Sequence, residues 1–510
     1  MTTPELVARR PFTTEKVADL SQSGVLWCAL LTPAVFLIHG YHPFADDAAV
    51  YVPGIRKLIS PGLFRSDADF VLAHTHISIF AHLMAWTVRL THLPLPPLLL
   101  SVQAASIFLF LLACHTLAER FFTGLAQRWS TVILAAACFT LPVAGTSLSL
   151  MDPCVTARSF STPLSLFALA AAIDRRWPRC FLLLLAAALL HPLMAGYAAG
   201  FIAVFFLIDF GIPRAAFVVC AQALAATAIL SLITRHFPAS AAYRQAVLSR
   251  DYLVPSQWTK IDDLGIGIPL ILFAIAAGRR RLNPLVRKLS LAACLYGITA
   301  ALIGFLFVHA DGPLFLVRVQ PLRSFHIIYA VGVLLLGGYL GSIFFASGRS
   351  LRSHWMAVSL LAVVAAILFW AQRTNYPLSA HMELPGTPVR NPWEQAFLWI
   401  RVNTPPEAVF AVNPRLVFVP GEDAQGFRAI AERSLLADDK DEGIVVAFPH
   451  LAEEWARQRN AQAGIDQMTD EQRIAATQPF GADWVLLPAT AATALPCPYR
   501  NIVAQVCRLQ

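Results

Sequence analysis

Eleven apolar runs dominate this sequence, and few folds are open to a chain that carries them. They begin near Val25, Leu95, Trp129, Thr162, Arg179, Pro192, Arg214, Leu264, Lys288, Phe325 and Trp355. A helix needs about 20 apolar residues to cross ~30 Å of hydrocarbon. Within a bilayer, only helices and closed barrels satisfy their own backbone polar groups. The runs therefore predict a polytopic helix bundle, although Thr162–Ile173 and Leu264–Ala277 are short for the task. Composition agrees, with only 14% of the 510 residues charged against about 25% in soluble domains. The net charge of +8 needs no nucleic-acid partner, because cytoplasmic loops of membrane proteins collect Lys and Arg. The polar start carries Arg9, Arg10 and Lys16, and no small-residue cleavage site follows the run from Val25. An uncleaved first span with a cytoplasmic N-terminus is expected.

A twelfth stretch, His74–Leu93, carries His74, His76, His82, Arg89 and His92. If it lies along the outer surface without crossing, Arg120, Arg128, Arg175, Arg176, Arg179, Arg214, Arg349, Arg352 and the run Gly278–Lys288 (GRRRLNPLVRK) all face the cytoplasm. If it crosses, the densest basic loop faces outward, against the positive-inside rule. We therefore read it as an interfacial helix. One face then collects Tyr41–Pro94, Met151–Ser161, the turn near His191, Arg235–Asp263, His309–Ser324 and everything after Ala371. The expected location is the bacterial inner membrane, with the C-terminal domain in the periplasm.

Residues 1–371 form the expected transmembrane unit and 372–510 a small soluble α/β domain. Within the latter, Asn391–Asn403 has Trp393, Phe397 and Ile400 on one helical face. Ala408–Val412, Leu416–Pro420 and Asp483–Pro488 read as buried strands, and Leu451–Asn460 and Thr469–Thr477 as helices. Cys497 and Cys507 fall in this domain, where a disulfide and two free thiols are both open. The other seven Cys lie in or beside apolar runs, as small hydrophobes do.

The richest polar stretch is Tyr41–Asp69, with Asp46 and Asp47 adjacent and His42, Tyr51, Arg56 and Lys57 nearby. Ionisable groups at a bilayer face point to function, and an acidic pair can supply a general base or a metal ligand. The alternative is an amphipathic surface helix with an acidic first turn. In the second loop, Asp152 can bind a metal or hydroxyl and Arg158 a phosphate, or the two can simply pair. His191 sits between two apolar helices, as a packing or a functional imidazole. Arg318, Arg323 and His326 open a late span, and guanidinium suits phosphate, whether of a substrate or of lipid headgroups. Asp262 and Asp263 form a second acidic pair that can be a helix cap.

On these residues the chain resembles the GT-C class of membrane glycosyltransferases, which use polyprenyl-phosphate-linked sugars. The likeness rests on Asp46 and Asp47 in an early outer loop, a following surface helix that starts HTHISIF, Asp152 and Arg158 in a short loop, and an exported C-terminal domain. The segment NPWEQAFLWIRVNTPPEAVFAV is similar to those after the last span in many bacterial members and uncharacterised bacterial relatives. The resemblance implies a first-loop acidic residue acting as base or metal ligand, carried here only to Asp46 and Asp47, with a divalent cation as candidate cofactor. The sequence departs from the pattern with HTHI where better-known relatives read His-Pro-Pro-Leu. It also lacks the aromatic second-loop motifs of oligosaccharyltransferases.

The expected activity is inverting transfer of a sugar from a lipid-phosphate donor to a lipid, glycan or protein acceptor. Asp46 or Asp47 would act as base, and Arg318 and Arg323 would hold the phosphate. Two rivals stay open: a transporter or flippase, and a non-catalytic glycolipid binder. Transporters place charge near the bilayer midplane, whereas here it gathers at helix ends.

Overall fold

The computed structural model describes residues 14–234, 239–309, 314–345 and 349–509; Arg9, Arg10 and Arg235 lie outside them. The chain is a mainly helical, multi-pass membrane protein with a small C-terminal sheet domain. A helix stands at each of the eleven expected places. Among the described residues, seven of them are long and apolar enough to cross a membrane unaided. Three of the other four correct the sequence expectation: Leu125–Ala137, Arg158–Ile173 and Trp177–Leu190 have 13, 16 and 14 residues, whereas the first helix, Thr14–His39, has 26. At 1.5 Å per residue the shortest reaches only about 20 Å. Arg158–Ile173 is instead buried along most of its length inside the bundle.

Helix starts follow local chemistry. Proline occupies the first turn of Leu95–Phe121, Trp177–Leu190, Pro192–Asp209 and Pro284–Phe307, where its missing N–H loses nothing. Lys260–Gly278 begins with a capping box, in which Thr259 and Asp262 bond each other's backbone. The Asp262–Asp263 pair is thus a helix start.

The expected continuous helix over His74–Leu93 is broken. Ala68–Leu72 and a 3-10 turn at Ala73–His76 meet the helix Phe80–Thr91 at 99°. Ser78 sets the corner: its hydroxyl donates to the Leu190 carbonyl at 2.5 Å and accepts the Phe80 N–H at 3.2 Å. With 12 residues, Phe80–Thr91 spans about 18 Å. It buries Phe80, Ala81, Met84 and Ala85 and exposes Leu83, Trp86 and Leu90.

The two ends of the bundle differ. At one, Arg120 pairs with Asp174, and both Arg175 and Lys288 with Asp209, at 2.6–2.9 Å. The other end carries residues 41–94, the short hairpin β1 (Pro142–Val143) and β2 (Leu148–Ser149), and the sheet domain.

The last long helix closes at Asn375. Beyond it, β3 (Val409–Val412), β4 (Ser434–Leu435), β5 (Trp484–Pro488), β6 (Tyr499–Arg500) and β7 (Ala504–Arg508) form one sheet in the order β4-β3-β5-β7-β6. β3 runs parallel to β4 and β5, whereas β7 is antiparallel to β5 and β6. Pro392–Asn403 packs Trp393, Phe397 and Ile400 onto one face of it. Leu416–Phe418 is a 3-10 turn, not the expected strand. Cys497 and Cys507 are disulfide-bonded, tying the β6 approach to β7.

Buried charge fastens this domain to the loop after the first helix. The Arg428 guanidinium lies between Asp67, at 2.6 Å, and Asp441, at 2.9 Å, with all three nearly sealed from water. Beside it, Gly426 has φ +77°, and a Cβ there would stand 2.7 Å from the Phe44 carbonyl oxygen. Only glycine fits so close a backbone approach. Removing one partner of a buried pair strands the other charge and costs about 3–5 kcal/mol. Arg428→Met should therefore lower the midpoint of thermal unfolding and expose the 375–391 linker to protease. A melting curve and digestion pattern like wild type would show that this pair does not fasten the domain.

Candidate functional site

Where the sheet domain meets the bundle, a cavity of about 290 Å³ opens. Asp46, Asp47, Tyr51, Arg158, His191, Arg318 and Arg323 all line it. Every segment assigned to the outer face contributes: the early loop, the second loop, the His191 turn, Arg250 and Tyr252, the Arg318–Arg323 segment, and Phe418 and Lys440 of the C-terminal domain. These segments therefore gather at one end of the bundle.

The early loop delivers its acids by a tight bend. Asp46 has φ +47°, a left-handed conformation that Asp tolerates better than most residues. Asp47 follows as the cap of helix Ala48–Ile59. One Asp47 oxygen meets Arg158 Nη1 at 2.7 Å and the other meets Lys440 Nζ at 3.1 Å. Lys440 also reaches Asp46 at 2.8 Å. Arg158 turns its other nitrogens to Asp152, at 2.9 and 3.1 Å, and Thr156 donates to the same carboxylate. Burial would push the Asp47 carboxyl up, but Lys440 and Arg158 hold it well below the usual carboxylate range. Asp47 is thus a fixed anion. The Asp46 side chain is the more open of the two, about half exposed.

The arginines differ from one another. Arg250 pairs with Glu442 and stacks over Phe418, 3.3 Å from the ring centre. Arg318 donates to the Ala447 carbonyl at 3.0 Å and Arg323 to the Thr146 carbonyl at 3.1 Å. Among the described residues, neither Arg318 nor Arg323 has a carboxylate within ion-pair distance. Two unneutralised guanidiniums thus face a cavity whose acids are already held by other cations. That arrangement favours an anion.

The imidazoles are neutral. Burial pushes His74 down to about 4, and burial with Arg158 and Arg323 nearby pushes His191 to about 3. His191 accepts the Met194 N–H, capping the next helix. Burial also keeps the Tyr51 phenol protonated, and its ring lies 5.1 Å from that of His74.

Three expected site residues lie elsewhere. His42 is buried against Tyr376 and bonds Glu383 at 3.1 Å. Arg56 pairs with Glu432 and faces a second cavity beside Glu383 and Glu394. His326 is buried, with its Nε2 2.9 Å from the Leu150 carbonyl oxygen. Asp152 lies behind Arg158 rather than on the wall. Conversely, Lys440, Arg250, Glu442 and His74 line the cavity without having been singled out for the site. The run ADDKDEG around Lys440 is charged, but nothing in the sequence aims it at Asp46, some 390 positions away.

The donor set does not fit a divalent cation. Such an ion takes about six oxygens, whereas Asp46 and Asp47 are engaged by an ammonium and a guanidinium. Among the described residues no cluster of three His, Cys, Asp or Glu forms a metal-holding group.

A protein-family profile described as a domain of unknown function (DUF6798) matches residues 391–461, the segment that contains Arg428 and Lys440. No curated protein matches. Among solved structures, the chain is similar to the oligosaccharyltransferase AglB of Archaeoglobus fulgidus in complex with an inhibitory peptide and a dolichol-phosphate. Identity is 13% and the TM-score 0.43, covering 92% of this chain and 69% of that one. An apo form of the Archaeoglobus fulgidus oligosaccharyltransferase gives the same identity and coverage with a TM-score of 0.41.

A depressed histidine fixes the sign of one pH effect. Between about 4 and 6.5 the unfolded chain binds a proton at His74 that the folded chain refuses. Its contribution to stability is therefore present above 6.5 and lost as pH falls towards 4, by up to about 3 kcal/mol. His74→Asn should flatten the stability profile over that window in denaturation at stepped pH. An equally steep profile in the variant would assign the dependence to other groups.

Proposed function

We propose that the cavity is the active site of a membrane glycosyltransferase of GT-C type. It takes a sugar from a polyprenyl-phosphate donor and passes it to a lipid, glycan or protein acceptor at the periplasmic face. The observation that carries this reading is one cavity lined both by an accessible carboxylate, Asp46, and by two guanidiniums, Arg318 and Arg323, that have no carboxylate partner among the described residues.

The chemistry follows from these positions. The donor phosphate lies against Arg318 and Arg323, and its isoprenyl chain along Ile77, Leu190 and Leu193 of the same wall. As the acceptor oxygen attacks the anomeric carbon, the bond to the phosphate oxygen breaks and negative charge builds on the leaving phosphate. Fixed guanidiniums beside low-dielectric surroundings stabilise that charge more than water does. Asp46 takes the acceptor hydroxyl's proton. Asp47 is held by two cations and serves to position Arg158 and Lys440. The division near residue 371 belongs to this reading, with the C-terminal domain as the roof over a site built on the bundle. The Cys497–Cys507 bond supports an oxidising compartment for that domain.

Purified protein should transfer radiolabelled sugar from a polyprenyl-phosphate donor. Asp46→Asn should lower the rate by about 10²-fold or more. Arg323→Ala should lower it by about 10²–10³-fold with the fold intact by thermal melting. Donor moved across vesicles without product would favour a transporter, and binding with no turnover a glycolipid receptor.

A further inference from the structure

We propose that Lys440 is a shared counter-ion: it holds Asp46 until a donor phosphate enters, then turns to the phosphate and releases Asp46. This deepens the glycosyltransferase reading and rests on it.

The asymmetry between the two aspartates carries the argument. Lys440 Nζ bonds both, at 2.8 and 3.1 Å. Asp47 keeps Arg158 at 2.7 Å whether or not Lys440 stays. Asp46 has, among the described residues, no second ion-pair partner. Departure of the ammonium would therefore unmask Asp46 alone, the carboxylate best placed to act as base.

The geometry also allows the movement. Arg158 is locked between Asp47 and Asp152, but Lys440 carries its charge on a flexible four-carbon stem with three rotatable donors. Its backbone is fixed independently: the Asp438 carboxylate accepts the N–H of both Lys440 and Asp441, at 2.8 and 3.2 Å. Asp441 is anchored by Arg428 in turn. The side chain can swing while the turn stays put. It lines the same cavity as Arg318 and Arg323, so an anion bound there competes directly with Asp46 for the ammonium.

One consequence is order. The base becomes available only after the donor has bound, which withholds the deprotonating group from an acceptor that arrives first. The residue comes from the 391–461 segment matched by the family profile, so the same segment that roofs the cavity supplies its switchable charge.

A double-mutant cycle with farnesyl phosphate as probe, measured by calorimetry on the full chain in detergent, tests this. Lys440→Met should weaken binding about tenfold. Asp46→Asn should tighten it several-fold in the wild-type background, because Lys440 is freed, and leave it unchanged in the Lys440→Met background. Lys440→Gln, which keeps a polar group beside the aspartates, carries the same cycle should the methionine variant melt early. If Asp46→Asn tightens binding equally in both backgrounds, or Lys440→Met binds like wild type, the shared counter-ion is overturned. Arg323→Ala separates the two ideas. Binding lost there with an additive cycle keeps the phosphate site and removes only the switch. No binding of farnesyl phosphate to wild type removes both.

Discussion

The interaction on which the site depends before donor binding is the double grip on Asp47. Arg158 reaches it from the bundle and Lys440 from the C-terminal domain, so a single carboxylate joins the two halves of the cavity. Two like cations brought this close would repel strongly in surroundings poorer in water than bulk solvent. Asp47 between them turns repulsion into attraction, and Asp152 and Asp46 neutralise what remains. The early loop therefore acts as an electrostatic adhesive as much as a source of chemistry. Adjacent aspartates at one bend allow a division of labour, in which the inner one holds the assembly and the outer one stays open.

The same accounting shows why Arg318 and Arg323 differ from the other cations. Arg158, Arg250, Arg428 and Lys440 each meet a carboxylate. Among the described residues, Arg318 and Arg323 bond carbonyl oxygens, and Arg323 also lies over the Tyr252 ring, 5.1 Å from its centre; these contacts orient a guanidinium without cancelling its charge. A folded chain holds such groups at low cost only where water or an anionic ligand reaches them. Both lie on the open wall of the cavity, where either can.

The layout of the bundle was legible in the sequence because apolar length and basic loops are one-dimensional signals. All eleven helices stand where the runs predicted, and the loops assigned to one face line one cavity. What length alone could not reveal was which helices stop short. Thr162 and Ser165 in Arg158–Ile173 face the bundle interior, and that helix is bounded by charge at its first residue. In the C-terminal domain, short strands such as Ser434–Leu435 and Tyr499–Arg500 have too few residues for a period-2 pattern, and Leu416–Pro420 mimicked a strand by composition. Among the site residues, Asp46, Asp47, Arg158, Arg318 and Arg323 announced themselves as charges beside apolar helix ends. His42, Arg56 and His326 carried the same signal but are spent on Glu383, Glu432 and the Leu150 carbonyl. Lys440 gave no such signal, because its role comes from a tertiary contact with Asp46 and Asp47.

The short helices explain where the cavity lies. Arg158 opens the 16-residue helix, and Leu190 and His191 close the 14-residue one. All three line the cavity. Helices of about 21 and 24 Å, packed beside Pro192–Asp209 at about 27 Å and Leu95–Phe121 at about 40 Å, leave a recess at whichever end they fail to reach. Here charged and capping residues mark that end, and the sheet domain covers it. A recess of this kind brings a polar, cation-lined pocket alongside apolar surface such as Ile77 and Leu193. That is the geometry a ligand with an anionic head and an isoprenoid tail requires, since head and tail can both be satisfied without drawing the tail into water.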